Sequence, residues 1–254
     1  MNDNVSYSFD DGISTIRLER PEKLNAMRLD MWDAVTEGVR RADEDGARAI
    51  VLTGEGDHFC AGDDIQALAD IEDERDVREL ADALLDCWNG IERSPVPVIG
   101  RANGSAHGGG FELLLAADLT VVPVDATFQL SEVRIGAFPP YASKRLAQLV
   151  GRQRAMDLAL LSREITGEEA VEWGLFARAV PEENLNSEVE AIVDALYQAS
   201  PASVETAKAW LNASLRFPGE DEGMRNGLGY LFSGSDAHEG ARAFLEGREP
   251  DFVQ

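Results

Sequence analysis

The strongest constraint on the fold is a change of rhythm near residue 180. Before it, short apolar runs of strand length alternate with helical stretches; after it, only helical periodicity remains. Residues 5–9 and 13–18 flank Asp10-Asp11-Gly12, a hairpin-turn signature. Residues 29–42 carry helical spacing, 47–53 (ARAIVLT) read as a buried strand and 54–63 (GEGDHFCAGD) as a loop. Residues 77–91 are helical, 95–102 contain another apolar strand, and Gly108-Gly109-Gly110 opens a helix over 111–117. Short strands follow at 119–122 and 127–130. This alternation predicts an α/β fold with crossover connections. Helices are expected at 188–198, 202–214, 222–232 and 237–246, punctuated by Pro201 and Pro218-Gly219. The expected division is an α/β core over 1–195 and a helical region over 196–254, without internal repeat or flexible linker.

The chain has 254 residues, 44% of them apolar, enough for a sizeable core. Its 47 acidic against 23 basic residues give a net charge of -24, and only Lys23, Lys144 and Lys208 are lysines. An acidic, lysine-poor surface points to a halophilic host, with an ordinary acidic mesophilic protein as the alternative. In multimolar salt the Debye length falls to roughly 3 Å or less, so self-repulsion is screened. No basic stripe exists, so no nucleic-acid partner is expected. The apolar runs are too short to span a bilayer, and residues 1–10 are acidic and lack a secretory signal core. Cys60 and Cys87 read as reduced thiols, which fits a cytoplasmic location and no membrane partner.

Three segments carry chemistry. The first, Phe59-Cys60-Ala61-Gly62-Asp63-Asp64-Ile65, is rich in small residues that let a ligand approach backbone N–H groups. Taken alone it is a tight strand-to-helix turn before it is a ligand loop. The second runs from Asn103 to Glu112. Its three glycines at a helix start expose unpaired N–H groups at the positive end of the helix dipole, suited to a developing oxyanion. Close packing, or a phosphate loop, would also use such glycines. The nucleotide readings fail, because no Lys-Ser/Thr follows and the G-x-G-x-x-G spacing is absent. The third, Gln129 to Pro140, places Glu132 between apolar neighbours just past a strand; alone, Glu132 reads as a solvated surface residue.

Together, in this order, these segments resemble the enoyl-CoA hydratase/isomerase (crotonase) superfamily. The resemblance extends to Arg20-Pro21 with Asn25-Ala26, to Gly136 through Leu146, and to residues 239–252 (EGARAFLEGREPDF). It implies a spiral of ββα turns with a C-terminal helical trimerisation region, and a homotrimer or hexamer. It implies an acyl-CoA thioester as substrate, coenzyme A being part of that substrate and no separate cofactor being needed. By resemblance, the N–H groups of Ala61 and Gly109 form an oxyanion hole. Such a preorganised donor is typically worth about 3 kcal/mol to an enolate-like transition state. Asn25, Ala26, Ala61, Gly62, Asp63, Asp64 and Gly108 are expected along the CoA and acyl channel. Phe244 and Arg248 are expected near the CoA phosphates, although Gly247 stands at the family's usual basic position.

Hydratases of this family use two carboxylates, matched here by Glu112 and Glu132, whereas isomerases commonly rely on one, at the position of Glu132. Hydration of a 2,3 double bond is therefore the expected reaction. Isomerisation, or another lyase or hydrolase reaction on the same enolate, is the alternative, with a non-catalytic scaffold as an alternative of another class. Pro139-Pro140-Tyr141-Ala142-Ser143 departs from the family's glycine-rich stretch and puts chain length and reaction type in doubt. His58 and His107 flank the site but read as loop residues. Cys60 and the serines Ser105 and Ser131 lack the partners of a nucleophile. No cluster has metal-ligand spacing, so no metal is expected.

Overall fold

A computed structural model describes residues 2–71 and 73–252. Strands β1 (Val5–Asp10) and β2 (Ile13–Leu18) form the expected antiparallel hairpin, closed by Asp11 and Gly12 at φ 44° and 76°. These paired left-handed residues make the tight turn that suits the right-handed twist of a hairpin. Helix α1 (Leu29–Glu44) follows.

The next stretch repeats one structural unit three times. Strand β3 (Ala49–Gly54) enters a six-stranded sheet, β4 (His58–Cys60) enters a four-stranded sheet, and the helices α2 (Ile65–Ala69) and α3 (Glu74–Arg93) close the turn. Strands β5 (Val98–Arg101) and β6 (Ser105–His107) do the same before α4 (Gly109–Ala116). Strands β7 (Leu119–Pro123) and β8 (Thr127–Gln129) do so before α5 (Pro140–Val150) and α6 (Arg152–Leu161). Strand β9 (Ile165–Thr166), α7 (Gly167–Glu172) and β10 (Arg178–Val180) finish the core. The sheet orders are β1-β2-β3-β5-β7-β10 and β4-β6-β8-β9. Corresponding strands of successive turns are neighbours, which makes the core the expected ββα spiral.

Strand β3 is buried on both faces, as a parallel strand covered on two sides must be. Ile50 and Leu52 enter the main core with Trp32, Trp88, Phe111 and Phe128. Ala49 and Val51, with Ile99 and Val121, are covered by Leu185, Val189, Ile192 and Val193 of α8 (Leu185–Gln198). Burying each such side chain is worth roughly 1.5–3 kcal/mol. The division expected at residue 195 therefore falls within a helix that belongs to the sheet. The remaining helices are α9 (Pro201–Ala213), α10 (Glu220–Ser233) and α11 (Asp236–Glu246). No helix among the described residues is long and apolar enough to cross a membrane.

Candidate functional site

The three sequence segments meet because each follows a strand of the small sheet. The chain leaves β4 at Ala61, β6 at Gly108 and β8 at Leu130, and these strands pair in parallel, β4 with β6 and β6 with β8. Parallel neighbours lie about 4.8 Å apart, so loops at their ends converge. They meet at a cavity lined at this end by Ala61, Gly62, Asp63, Gly109, Glu112 and Glu132. The walls are apolar: Leu68, Leu80, Leu84 and Phe138, with Leu228 and Phe232 supplied by α10. An outer groove shares Asp63, Leu68 and Leu80 with this cavity.

Gly109 is the first residue of α4, and its N–H has no partner among the described residues. The N–H of Ala61 is a different matter. It donates to the Leu24 carbonyl at 2.9 Å, across the turn where Leu24 and Asn25 take φ 51° and 56°. Ala61 lines the cavity but has no free donor for a ligand. The free donor of this loop lies two residues on, because Met27 pairs with Asp63 through the Gly62 carbonyl and the Asp64 N–H. That bridge leaves the Asp63 N–H without a partner in another described residue. Asp63 and Gly109, rather than Ala61 and Gly109, present the N–H pair.

Gly62 explains how the two loops approach so closely. It sits at φ +93°, and a side chain there would begin 2.9 Å from the His107 carbonyl and 3.3 Å from the Gly109 nitrogen. Gly62→Ala should cost about 1–3 kcal/mol in backbone strain alone. It should also lower turnover at least tenfold by pushing the loops apart, as read by denaturant unfolding and by rate on an enoyl-CoA.

Other expected contacts move out of the site. Asn25 is fully buried; its side chain receives the Arg20 N–H and donates to the Glu55 and His58 carbonyls, each at 2.9 Å. Its N–H donates to Arg20 and its carbonyl receives the Cys60 thiol, so Asn25 shapes the loop and offers no group to a ligand. The Ala26 N–H donates to Lys23 and its carbonyl receives Arg20. Asp64 lines the outer groove, but its carboxylate caps α2 and pairs with Arg20 at 2.6 Å, which holds its pKa low against the cost of partial burial. Phe244 is exposed, and Arg248 is committed to Glu239 and Glu246; neither lines the cavity.

The two glutamates do come together. Glu112, in the first turn of α4, is buried, and its Oε1 accepts the Ala142 N–H at 2.8 Å. Ala142 lies in the first turn of α5, so the departure at Pro139 to Ser143 is the start of a helix whose positive end faces this carboxyl. Burial, then the charge of Glu132, raises the Glu112 pKa well above the ordinary carboxylate range. Glu132 opens a short 3-10 turn, with Oε1 lying 3.3 Å from where a side chain on Gly108 would begin. Both its carboxyl oxygens are buried without a hydrogen-bond partner among the described residues. Burial, with the charge of Asp63 added, pushes its pKa up to about 8. Two buried carboxyls that resist ionisation, beside two backbone N–H groups that no other described residue takes, can exchange protons with a reactant while its carbonyl oxygen gathers charge.

Sequence reasoning missed Trp32, whose indole N–H donates to Asp63 at 2.8 Å, and the cover supplied by Leu228 and Phe232. Trp32 looks like a core residue of an amphipathic helix, and it is one as well; nothing in its spacing marks the hydrogen bond.

Residues 8–254 match the family model for enoyl-CoA hydratase/isomerase. A probable enoyl-CoA hydratase of Rhodobacter capsulatus is 35% identical over 254 residues, covering 98% of this chain and 97% of that one. A probable enoyl-CoA hydratase of Mycobacterium tuberculosis is 31% identical over 257 residues, covering 96% and 95%. The crystal structure of an enoyl-CoA hydratase from Mycobacterium avium subsp. paratuberculosis superposes with TM-score 0.88 at 26% identity, covering 99% of each chain. The family match, the ββα spiral and the paired glutamates agree: this chain belongs to the enoyl-CoA hydratase/isomerase family.

Proposed function

We propose that this chain adds water across the 2,3 double bond of an enoyl-CoA thioester. The observation that carries the reading is the pair Glu112 and Glu132, both buried in one cavity lined also by Asp63 and Gly109, whose N–H groups bond to no other described residue. The thioester oxygen would lie against those N–H groups. One carboxylate takes a proton from water as its oxygen bonds to the β-carbon. The electron pair of the double bond moves toward the thioester oxygen, and the other carboxyl delivers its proton to the α-carbon. The pair holds one proton before and after, and the product is a 3-hydroxyacyl-CoA with no change of oxidation state.

The names of the relatives support hydration, and retention of both glutamates supports it over a scaffold role. A homotrimer or hexamer is part of the same reading, supported by the exposed Leu160, Leu161, Trp210 and Leu211 on α6 and α9. The acidic surface supports a salt-adapted cytoplasmic protein. The test is loss of enoyl absorbance when purified protein in high salt meets crotonyl-CoA and longer homologues. Hydration is the expected result, and its absence at every chain length overturns the proposal. Conversion of a 3-enoyl-CoA to the 2-enoyl isomer without hydration would assign the isomerase reaction instead. Tight CoA-thioester binding without turnover would assign the scaffold.

A further inference from the structure

The cavity holds a third carboxyl group that the hydration chemistry above does not use. Asp63 lines both the acyl cavity and the outer groove. Its Oδ1 accepts the Trp32 indole N–H. Its Oδ2 receives no hydrogen bond from another described residue and lies 3.1 Å from the point where a side chain on Gly109 would begin. A carboxyl oxygen is thus held in the cavity against the side-chain position of Gly109, the residue whose N–H opens α4.

The groups around Asp63 are acidic or neutral: Asp64 on its own loop, Cys60 on β4, Glu112 on α4, Glu132 on the 3-10 turn and Trp32 on α1. Among the described residues no lysine, arginine or histidine forms an ion pair with it, because Arg20 is spent on Asp64. An anion at this position would oppose an enolate in a poorly screened site. A neutral carboxylic acid at the same position would donate to it instead.

We propose that Asp63 works as a neutral carboxylic acid, its Oδ2–H joining the Asp63 and Gly109 N–H groups as a third donor to the thioester oxygen. The inference rests on the acyl-CoA reading above. Burial already raises this carboxyl to about 6. A bound acyl chain would remove more water, and a developing enolate would favour the protonated form further.

The sign of two effects tests it. In the native protein the alkaline limb of kcat/KM should lie near pH 6, where Asp63 loses its proton. Asp63→Asn keeps an acceptor for Trp32 and a donor for the oxygen, so the limb should move up toward the about 8 of Glu132. Were Asp63 merely a charge near the glutamates, its removal would lower their pKa values and move the limb down; that result, or no movement, overturns the proposal. Asp63→Ala should lower kcat about 100-fold, the loss of one oxyanion donor; unchanged kcat also overturns it.

A second readout needs no hydration. Acetoacetyl-CoA forms an enolate whose ultraviolet absorbance reports binding. Asp63→Ala should weaken enolate binding at least tenfold while Asp63→Asn retains it. Tighter enolate binding by the alanine variant would mean that Asp63 acts as an anion, and would overturn the proposal. If the native protein binds the enolate in this way but hydrates no enoyl-CoA, the hydration reading fails and the role of Asp63 stands.

Discussion

Glu132→Gln is expected to lower hydration by about 10²–10⁴-fold, the usual contribution of a positioned acid or base, while making the folded protein more stable at alkaline pH. Both effects have the same origin. The Glu132 carboxyl is buried with neither oxygen paired among the described residues, so its ionised form is costly and its proton is held up to about pH 8. In the unfolded chain the same group ionises near 4.5. Between those values the folded state binds more protons than the unfolded state, so stability falls as pH rises, and the full cost is present above about 8. The glutamine amide never ionises and escapes this cost. Thermal melts should therefore coincide for the two proteins near pH 5. They should diverge by pH 9, with the variant ahead by an amount on the order of a few kcal/mol. Glu112 should also ionise more readily in the variant, since the charge of Glu132 is the second cause raising its pKa. Equal turnover would remove Glu132 from the chemistry; equal melting at pH 9 would mean that the carboxyl is solvated in solution.

What made this site legible in the sequence was the local character of its parts. A hairpin needs a turn of particular residues, so Asp11-Gly12 announced it. A helix start with free N–H groups needs small residues, so Gly108 to Gly110 announced α4. The second sheet was legible only in part. β8 matches the short strand expected at 127–130, whereas β4 and β6, three residues each, are too short for a period of two to be read and fall in stretches read as loop or left without an element. Yet this sheet is what brings the three segments together. Ala61 failed as a donor for a related reason. Whether a given N–H is free depends on partners far back in the chain, Leu24 for the Ala61 N–H and Met27 for the Asp64 N–H, and no local pattern encodes them. Asn25 is likewise spent on its own loop: residues that a loop uses to hold its own shape look the same in sequence as residues that it offers to a ligand.

The sequence was equally silent about the charges packed behind α5. Two of the three lysines that set the composition apart, Lys144 and Lys208, are buried and paired, which leaves Lys23 as the exposed one. Arg145, adjacent to Lys144, is 1% exposed and uses all five of its N–H donors. They go to Glu92 at 2.9 and 3.1 Å, to Glu220 at 3.1 Å twice, and to the Leu215 carbonyl at 3.0 Å. Tyr141 adds its hydroxyl to Glu92 at 2.9 Å. Arg145→Met would leave Glu92 and Glu220 buried with less than their share of positive charge. Breaking a buried pair by removing one partner costs about 3–5 kcal/mol, because the remaining charge loses its compensation. That loss is the expected result in denaturant unfolding. Arg145→Lys should recover little of it, since a single ammonium cannot serve two carboxylates in a planar fork. The pH dependence has a definite sign. In the native protein Glu220 is held down to about 2, so its contribution is present above about 4.5 and is lost as pH falls through about 2. The variant should lose part of that contribution and show a flatter acid limb. High salt separates this cluster from the acidic surface: surface repulsion is screened in multimolar salt, whereas a pair out of water is screened much less. The deficit of Arg145→Met should persist in molar salt. Activity should fall as well, about tenfold, because Arg145 and Tyr141 fix the helix that offers the Ala142 N–H to Glu112. A variant that melts within 1 kcal/mol of the native protein would mean that the cluster is open to water and that α5 is held by its apolar face alone.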